Sequence, residues 1–185
     1  INTGPFPSRK ILLRWIDQKP TSIVSILKEY ISTGGCAAVV CNRVDRAQEV
    51  FEAVSEAFAG QSIEIILFHS RFPYKWRKDI EDNVLAKFGK DPTHRPHQAI
   101  VIATQVIEQS LDLDFDVMIT DLAPIDLLIQ RIGRLHRHEN SKAPPIRPER
   151  LRIPTCIISA PELSQELSPP EFGSDAHIYE PYILL

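Results

Sequence analysis

The strongest constraint on the fold is an alternation between short, predominantly apolar runs and longer segments whose apolar residues recur every three or four positions. The clearest apolar runs are 36–41, 63–68 and 99–103. A strand that is apolar throughout needs cover on both faces, and an amphipathic helix supplies such cover with its apolar stripe. The alternation therefore predicts a doubly wound α/β domain, in which helices pack on both faces of a parallel sheet.

The pattern predicts the elements individually. We predict strands at 10–16, 36–41, 63–68, 99–103, 116–120 and 152–159. Helices are predicted from the apolar stripes Ile23–Ile31, Val44–Phe58, Trp76–Phe88 and Ile125–Leu135, with Ile129 on the last stripe. Gly34 and Gly35 suit the C-terminal cap of the first helix, Asn42 can cap the second, and Pro73 suits the first turn of the third.

Composition narrows the class of protein. With 185 residues, 43% of them hydrophobic and 24% charged, we expect one globular domain. The apolar runs are too short to cross a membrane. Three cysteines without C-x-x-C spacing indicate inert, reduced core thiols of a cytosolic protein. The net charge of −3 argues against a generally basic nucleic-acid surface but leaves room for a local cationic groove. Because the first residue is not Met, we interpret the sequence as part of a longer protein.

Polar residues that follow the predicted strands are the candidates for ligand binding, because ligands of parallel sheets bind beyond the carboxyl ends of the strands. Arg131, Arg134 and Arg137 are spaced by three, which predicts a row along one side of the last helix. The guanidinium group suits phosphate, although such a row can also be a solvated face. Gly133 favours the ligand, since glycine inside a helix costs about 1 kcal/mol relative to alanine and indicates a close approach to the backbone.

Three segments resemble the conserved motifs of superfamily 2 helicases. Residues 130–137 resemble motif VI, residues 103–112 resemble motif V, and residues 39–42 resemble the region around motif IV. More narrowly, residues 67–73, 103–116 and 121–124 are similar to the CRISPR-associated helicase–nuclease branch of that superfamily. The resemblance extends from Ile11 to Ile158 and matches only the second of the two lobes of such motors.

The resemblance implies a second RecA-like domain at 1–160, followed by a surface tail or the start of a truncated region at 161–185. It implies a motor that binds ATP and Mg²⁺ jointly with a first RecA-like lobe, which is missing here, and moves along single-stranded DNA. A nuclease domain and a CRISPR effector complex of the Cascade kind would be its other partners. No G-x-x-x-x-G-K-S/T loop and no D-E-x-H or D-E-x-D run occurs in the sequence, so we expect neither ATP hydrolysis nor cofactor binding by this chain alone.

The resemblance also implies roles for single residues at the nucleotide. Arg134 and Arg137 would be arginine fingers that neutralise charge on the transferred phosphoryl group. Gln130 would orient water or the γ-phosphate region, whereas Asp112 and Arg131 would lie against the nucleotide. We expect the two fingers to project from the last core helix, at the carboxyl edge of the sheet, toward phosphates held by the other lobe.

Phosphates of single-stranded DNA would contact Thr104, Gln105, Arg71, Asn42 and Arg77. Asn42 is equally suited to capping a helix, and both interpretations stay open.

Several polar residues are interpreted as structural. Asp114 and Asp116 flank the start of a predicted strand, and His69 suits a turn or a packing contact. His136 and His138 lack further ligands at metal spacing, so we predict no metal site. Two other function classes remain open at this point: a nonhydrolytic nucleic-acid-binding or docking module with a helicase-like fold, and an unrelated nucleotide-binding enzyme.

Overall fold

A computed structural model of the chain describes residues 10–108, 111–138 and 146–161. Gln109 and Ser110 of the motif V region therefore lie outside the described residues. The same is true of nearly all of the predicted tail.

Strands and helices alternate along the chain, as the sequence predicts. The strands are β1 (Leu12–Ile16), β2 (Gly35–Val40), β3 (Glu64–Phe68), β4 (Gln98–Ala103), β5 (Val117–Asp121) and β6 (Thr155–Ser159). The helices are α1 (Pro20–Ile31), α2 (Val44–Ala57), α3 (Tyr74–Phe88) and α4 (Ile125–Ile132). Short 3₁₀ helices are formed by Pro92–His94, Gln105–Glu108 and Glu149–Leu151.

The six strands form one parallel sheet in the order β1-β6-β5-β2-β4-β3. The central strand β2 lies between β4 and β5, and its Val40 is level with Ala103 and Thr120. The carboxyl ends of these three strands therefore meet at the middle of one edge of the sheet.

Helices cover both faces of the sheet, because every central strand is apolar on both sides. One face packs against α1 and α2, whose Ile23, Leu27 and Val50 are fully buried. The opposite face packs against α3 and α4 through Val84, Phe88 and Leu128. The predicted doubly wound α/β architecture is confirmed.

A pair of glycines carries the chain from α1 into β2, and both need a backbone that other residues rarely adopt. Gly34 and Gly35 have φ of +113° and +107°. The amide of Gly34 donates to the carbonyl of Ile31, which closes the last turn of α1 as predicted. A Cβ atom at Gly35 would lie 2.2 Å from Cδ1 of the buried Leu151, so this position also lacks space for a side chain.

The prediction that Trp76 faces the core is wrong, because its side chain is exposed. A strict spacing of four advances about 40° per step around an α-helix, so the series from Trp76 to Phe88 rotates through about 120°. The end of the series at Val84 and Phe88 meets the core, and its beginning turns away from it. Pro73 also lies just outside the helix, at the N-cap, and not in the first turn.

Helix α4 is shorter than the sequence predicts, and its stripe faces a different direction. The helix ends at Ile132, and Ile125 and Ile129 are exposed. Leu135 is buried but lies beyond the helix, where it forms a β-bridge with Phe115. The side of α4 that meets the sheet carries Leu128 and, unexpectedly, Arg131.

The three cysteines are unpaired and buried, as predicted. No helix among the described residues is both long and apolar enough for a membrane span.

Candidate functional site

Polar side chains fill the carboxyl edge of the sheet where β2, β4 and β5 end. Asn42 follows β2, Thr104 follows β4 and Asp121 ends β5, and all three are buried. Buried polar groups must find hydrogen-bond partners within the protein. Hydrogen bonds within the protein therefore decide which polar groups at this edge remain accessible to a ligand.

Arg131 is the centre of this edge, and its side chain is completely buried. Its Nε and Nη2 lie 2.7 and 2.6 Å from Oε1 of Glu108. Its Nη1 donates to the hydroxyl of Thr120 at 2.7 Å and to the carbonyl of Asp121 at 3.1 Å, and its Nη2 donates to Oδ1 of Asn42 at 3.1 Å. In this lobe the guanidinium group of Arg131 is buried and its donors bind residues of the same chain, and its expected contact with a nucleotide stays a prediction.

Asn42 is not the cap of α2, and its side chain is buried. The N-cap of α2 is Arg43, and no side chain caps that helix. The Asn42 amide donates through Nδ2 to the carbonyl of Leu122 at 2.7 Å and accepts from Arg131. The expectation of a helix cap is thus wrong, whereas the DNA contact expected of the buried Asn42 stays a prediction.

Arg46 and Asp121 form an ion pair that the sequence analysis did not identify. Nε of Arg46 donates to Oδ1 of Asp121 at 2.8 Å, and the backbone amide of Asn42 donates to Oδ2 of Asp121 at 2.9 Å. Arg46 also donates to the carbonyl of Gln18 and the hydroxyl of Ser159. This arrangement ties α2 to the ends of β1, β5 and β6. The available signal was a lone arginine beside the buried Ala47 on the apolar side of α2.

The three motif VI arginines do not form a row on one helix. Helix α4 ends before Gly133, which is its C-cap with φ of −61°, so the argument from a glycine inside a helix does not apply. The carbonyl of Arg134 accepts from the amide of Phe115, and the amide of His136 donates to the carbonyl of Phe115. Because Phe115 precedes β5, the turn that carries Arg134 and Arg137 lies toward the amino edge of the sheet. The expectation that these arginines extend from a helix at the carboxyl edge is wrong.

Arg134 and Arg137 instead occupy the flank of the lobe, beside the segment that joins β4 to β5. Nη2 of Arg134 lies 3.3 Å from the carbonyl oxygen of Glu108, so its mostly buried side chain points back toward the 3₁₀ helix after β4. Nε of Arg137 donates to Oδ1 of Asp112 at 2.5 Å, and 42% of the Arg137 side chain is exposed. Nε2 of His138 lies 3.1 Å from the same carboxylate oxygen.

The charges on this flank influence one another. Burial, followed by the positive charge of Arg137, lowers the pKa of Arg134, although an arginine remains a cation at neutral pH. Burial on its own raises the pKa of Asp112, but Arg137 and His138 outweigh it and hold that pKa below its ordinary value. The flank thus presents two neighbouring cations balanced by one exposed carboxylate, which is an arrangement that suits an incoming anion.

The remaining predicted residues differ in how accessible they are. Thr104 is buried, and Nε2 of the half-buried Gln105 donates to the backbone carbonyl of Asn42 at 2.7 Å. Arg71 is exposed at the end of β3, and Arg77 is half-buried on the first turn of α3. Gln130 is exposed on α4, away from the Arg131 contacts. Thr104, Gln105 and Arg71 follow the carboxyl ends of β4 and β3, and the roles expected of all five residues stay predictions.

His69 has a packing environment. Its ring stacks on Phe72 with centroids 4.1 Å apart and planes 2° from parallel. Among the described residues neither ring nitrogen has a hydrogen-bond partner, and burial lowers the pKa of His69. A neutral ring in a packing contact matches the interpretation from the sequence.

A second polar cluster lies at the amino edge of the sheet and is structural, as predicted for Asp114 and Asp116. Both carboxylates are buried and form ion pairs with Arg95 and Arg147, at distances that include 2.9 Å from Arg95 to Asp116 and 2.7 Å from Arg147 to Asp114. Oδ2 of Asp116 also accepts from the amide of Cys36 at 2.6 Å. Within the described ranges no three His, Cys, Asp or Glu side chains come together as a metal site would require.

Comparison with known proteins identifies the family. The sequence model of a family described as CRISPR-associated nuclease/helicase Cas3, C-terminal, matches residues 33–140, which is more than half of the chain. The chain belongs to this Cas3 family. Cas3 of Thermus thermophilus is 36% identical over 225 residues, an alignment that covers 97% of this chain and 23% of the relative. The chain therefore spans about a quarter of the length of that curated relative.

Solved structures agree with this assignment. The chain superposes on a crystal structure of T. fusca Cas3-AMPPNP with a TM-score of 0.89 and 34% identity, covering all of this chain and 22% of the other. It superposes on a chain of a CRISPR RNA-guided surveillance complex, pre-nicking, with a TM-score of 0.82 and 33% identity over 96% of this chain and 22% of that one. The fold is that of the RecA-like C-terminal helicase region of Cas3.

Proposed function

We propose that this chain is the second motor lobe of an ATP-dependent translocase that moves along single-stranded DNA and is coupled to a nuclease in CRISPR interference. The observation that carries the proposal is the pair Arg134 and Arg137 on one flank, with Arg137 exposed and held by a single carboxylate. Membership of the Cas3 family supports it, as does the likeness to a Cas3 structure named for AMPPNP.

The two arginines fit a nucleotide held mainly by another lobe. ATP bound there would supply a transferable γ-phosphoryl group, on which negative charge must be stabilised during transfer. Arg137 donates to that charge from the surface, and Asp112 fixes the direction of its guanidinium group beforehand. Arg134 adds a second positive charge from a more buried position. Gln130, exposed on α4, orients water or the γ-phosphate region.

Arg131 contributes differently from the other two arginines of motif VI. Since its five contacts join Glu108, Asn42 and the end of β5, it positions the segments that carry the nucleotide site. Magnesium would be bound with ATP by the first lobe.

DNA would contact the carboxyl half of the lobe through its phosphates. Arg71 is the most accessible of the proposed contacts, and Arg77 lies beside it, with Nη1 3.5 Å from the carbonyl oxygen of Ser70. Thr104 and Gln105 would take part through the surface of the 3₁₀ helix after β4. Such contacts position a strand without reading its sequence, which is what a translocase requires. The first lobe, a nuclease domain and an effector complex of the surveillance kind are the proposed partners.

The experiment compares Arg134→Ala and Arg137→Ala with the control Arg150→Ala in the full-length protein. Arg150 is an exposed arginine that pairs with Glu29, across the sheet from the site. We expect each finger variant to lower DNA-stimulated ATP turnover by about 10³-fold or more, because an arginine finger contributes 10³ to 10⁵ in rate. DNA binding measured without nucleotide should stay comparable to wild type, and the control should match wild type in both assays.

Equal loss of DNA binding and ATP turnover in the finger variants would contradict the assignment. The isolated chain should hydrolyse ATP no faster than background, and robust turnover that depends on Arg134 would also contradict it. A full-length protein that binds single-stranded DNA but never hydrolyses ATP would instead support the nonhydrolytic alternative.

A further inference from the structure

An exposed aromatic and cationic surface lies at the start of α3. We call it the α3 platform and define it as Arg71, Tyr74, Lys75, Trp76 and Arg77. The side chains of Tyr74 and Trp76 are 75% and 61% exposed. Exposing a large aromatic ring to water is unfavourable compared with burying it. Two such rings within three residues therefore indicate a surface that another molecule covers.

The helix geometry places a cation between the two rings. Successive residues of an α-helix are separated by about 100°, so Arg77 falls between Tyr74 and Trp76 on the side of the helix nearer the sheet. The Cζ atom of Arg77 lies 5.8 Å from the centre of the Tyr74 ring, within the range of a cation–π contact. A planar cation thus borders the Tyr74 ring, and Trp76 lies on the other side of that cation around the helix.

Charge distinguishes the α3 platform from an exposed apolar surface elsewhere on the lobe. Among the described residues Arg71, Lys75 and Arg77 form no ion pair, so their charges are available to a partner. Lys78 is excluded from the platform because it lies 3.2 Å from a carboxylate oxygen of Glu81 and 3.0 Å from one of Asp82.

The contrasting surface is on β1, where Leu13 and Trp15 are exposed at the far edge of the sheet. The neighbouring cation there, Arg14, is already paired with Glu29 at 3.1 Å. An apolar surface without available charge suits protein packing, whereas aromatic rings flanked by three available cations suit a polyanion with stackable bases.

The position of the α3 platform in the fold agrees with this. Helix α3 follows β3, the edge strand next to β4, so its first turn lies at the carboxyl edge. The amide of Thr104 donates to the carbonyl of Phe68 at the end of β3, which places the platform beside the proposed phosphate contacts. A strand crossing Thr104 and Arg71 would next meet Tyr74 and Trp76.

We propose that Tyr74 and Trp76 stack on bases of single-stranded DNA while Arg71, Lys75 and Arg77 contact the adjacent phosphates. The inference rests on the proposed DNA-binding function and adds a base-stacking contact to it. Stacking on an aromatic ring tolerates any base, so the contact holds the strand without introducing sequence preference.

The test measures binding of the full-length protein to oligo-dT and to an abasic oligonucleotide of equal length, by fluorescence anisotropy in EDTA. We expect Trp76→Leu, which keeps an apolar side chain but removes the ring, to weaken oligo-dT binding about 5- to 30-fold. Binding of the abasic strand should not change, because it has phosphates but no base to stack. Trp76→Phe should restore most of the affinity, and Tyr74→Leu should behave as Trp76→Leu does.

Trp15→Leu is the matched control, since Trp15 is equally exposed but lies at the opposite edge of the sheet, and its DNA affinity should equal that of wild type. Lys75→Ala should weaken the binding of both oligonucleotides. It should also reduce the slope of log affinity against log salt concentration by about 1, the loss expected for one phosphate contact. An unchanged oligo-dT affinity of Trp76→Leu would overturn the inference and assign the platform to a protein partner. Equal losses on both oligonucleotides would overturn it as well. Failure of the wild-type protein to bind oligo-dT would refute the proposed function itself.

Discussion

Replacement of Arg131 is the most direct test of how the carboxyl edge is organised. Arg131→Met keeps most of the side-chain volume but removes the partner of Glu108, whose side chain is almost as buried as that of Arg131. It also removes donors to the Thr120 hydroxyl, the Asp121 carbonyl and the Asn42 amide oxygen. Leaving a buried charge without its partner costs about 3 to 5 kcal/mol.

That cost is a large fraction of the 5 to 15 kcal/mol by which a domain is ordinarily stable. The measurement is urea unfolding of the chain followed by circular dichroism. With a denaturant dependence of about 2 kcal/mol per molar, the midpoint of Arg131→Met should fall by roughly 1.5 to 2.5 M. Arg131→Lys should fall by less, because it keeps the charge but cannot form the forked contacts.

A double variant separates the stranded charge from lost packing. Adding Glu108→Gln to Arg131→Met removes the unpaired carboxylate, so the midpoint should recover by part of the loss, whereas Glu108→Gln alone should destabilise the protein. A decrease below about 1 kcal/mol for Arg131→Met would refute the reasoning, since a buried guanidinium with five contacts cannot be removed at so small a cost if it holds the edge together.

Three further predictions concern the rest of the lobe. Gly35→Ala should destabilise the fold by about 2 to 3 kcal/mol, because the new Cβ meets the buried Leu151 and φ is positive. Gly60→Ala, with φ of +78° and no atom within 4 Å of its Cβ, should cost only about 1 kcal/mol. The midpoints of urea unfolding compare the two variants. Because burial lowers the pKa of His69, the unfolded chain binds its proton first and the free energy of unfolding should fall as pH drops below the ordinary value of 6.5; His69→Phe should abolish that part of the decrease, and an unchanged pH profile would contradict the burial argument. Burial raises the pKa of Cys156 to about 12, so its thiol should resist iodoacetamide at pH 8 until the protein unfolds, as mass spectrometry of the alkylated peptide would show.

The sheet could be predicted from the sequence because the central strands are apolar on both faces and each helix carries an apolar stripe. All six strands and all four helices occur where the alternation places them. The errors lie at helix ends and at side chains that spacing alone cannot orient. Helix α4 stops at Ile132 and its C-cap is Gly133, a stop signal that the sequence analysis interpreted as a close ligand approach, so the spacing of Arg134 and Arg137 was wrongly extended as helix. Trp76 was misplaced because a spacing of four drifts around the helix.

The candidate site was predictable as a set of segments but not as a set of exposed groups. The motifs identify Asn42, Arg131 and Asp112 as neighbours of a ligand, yet only Asp112 is exposed. Burial depends on which long-range partners a polar group finds, and the partners of Arg131 are separated from it by 10 to 89 positions in the chain. Local sequence spacing does not predict pairs that are so far apart in the chain.

Under the proposed function the lobe has a DNA side and a nucleotide side, and one short segment contacts both. Under the proposed function, the DNA side includes Gln105 and the nucleotide side includes Arg134, and Glu108 belongs to the same 3₁₀ helix as Gln105. The Glu108 carboxylate binds Arg131, and its carbonyl oxygen lies 3.3 Å from Arg134. Under that function, a displacement of the short helix would move the carbonyl oxygen that Arg134 contacts. The buried Arg131 binds Glu108 of this segment and also Thr120 and Asn42, at the ends of β5 and β2. Because of these contacts, the segment would move as one unit.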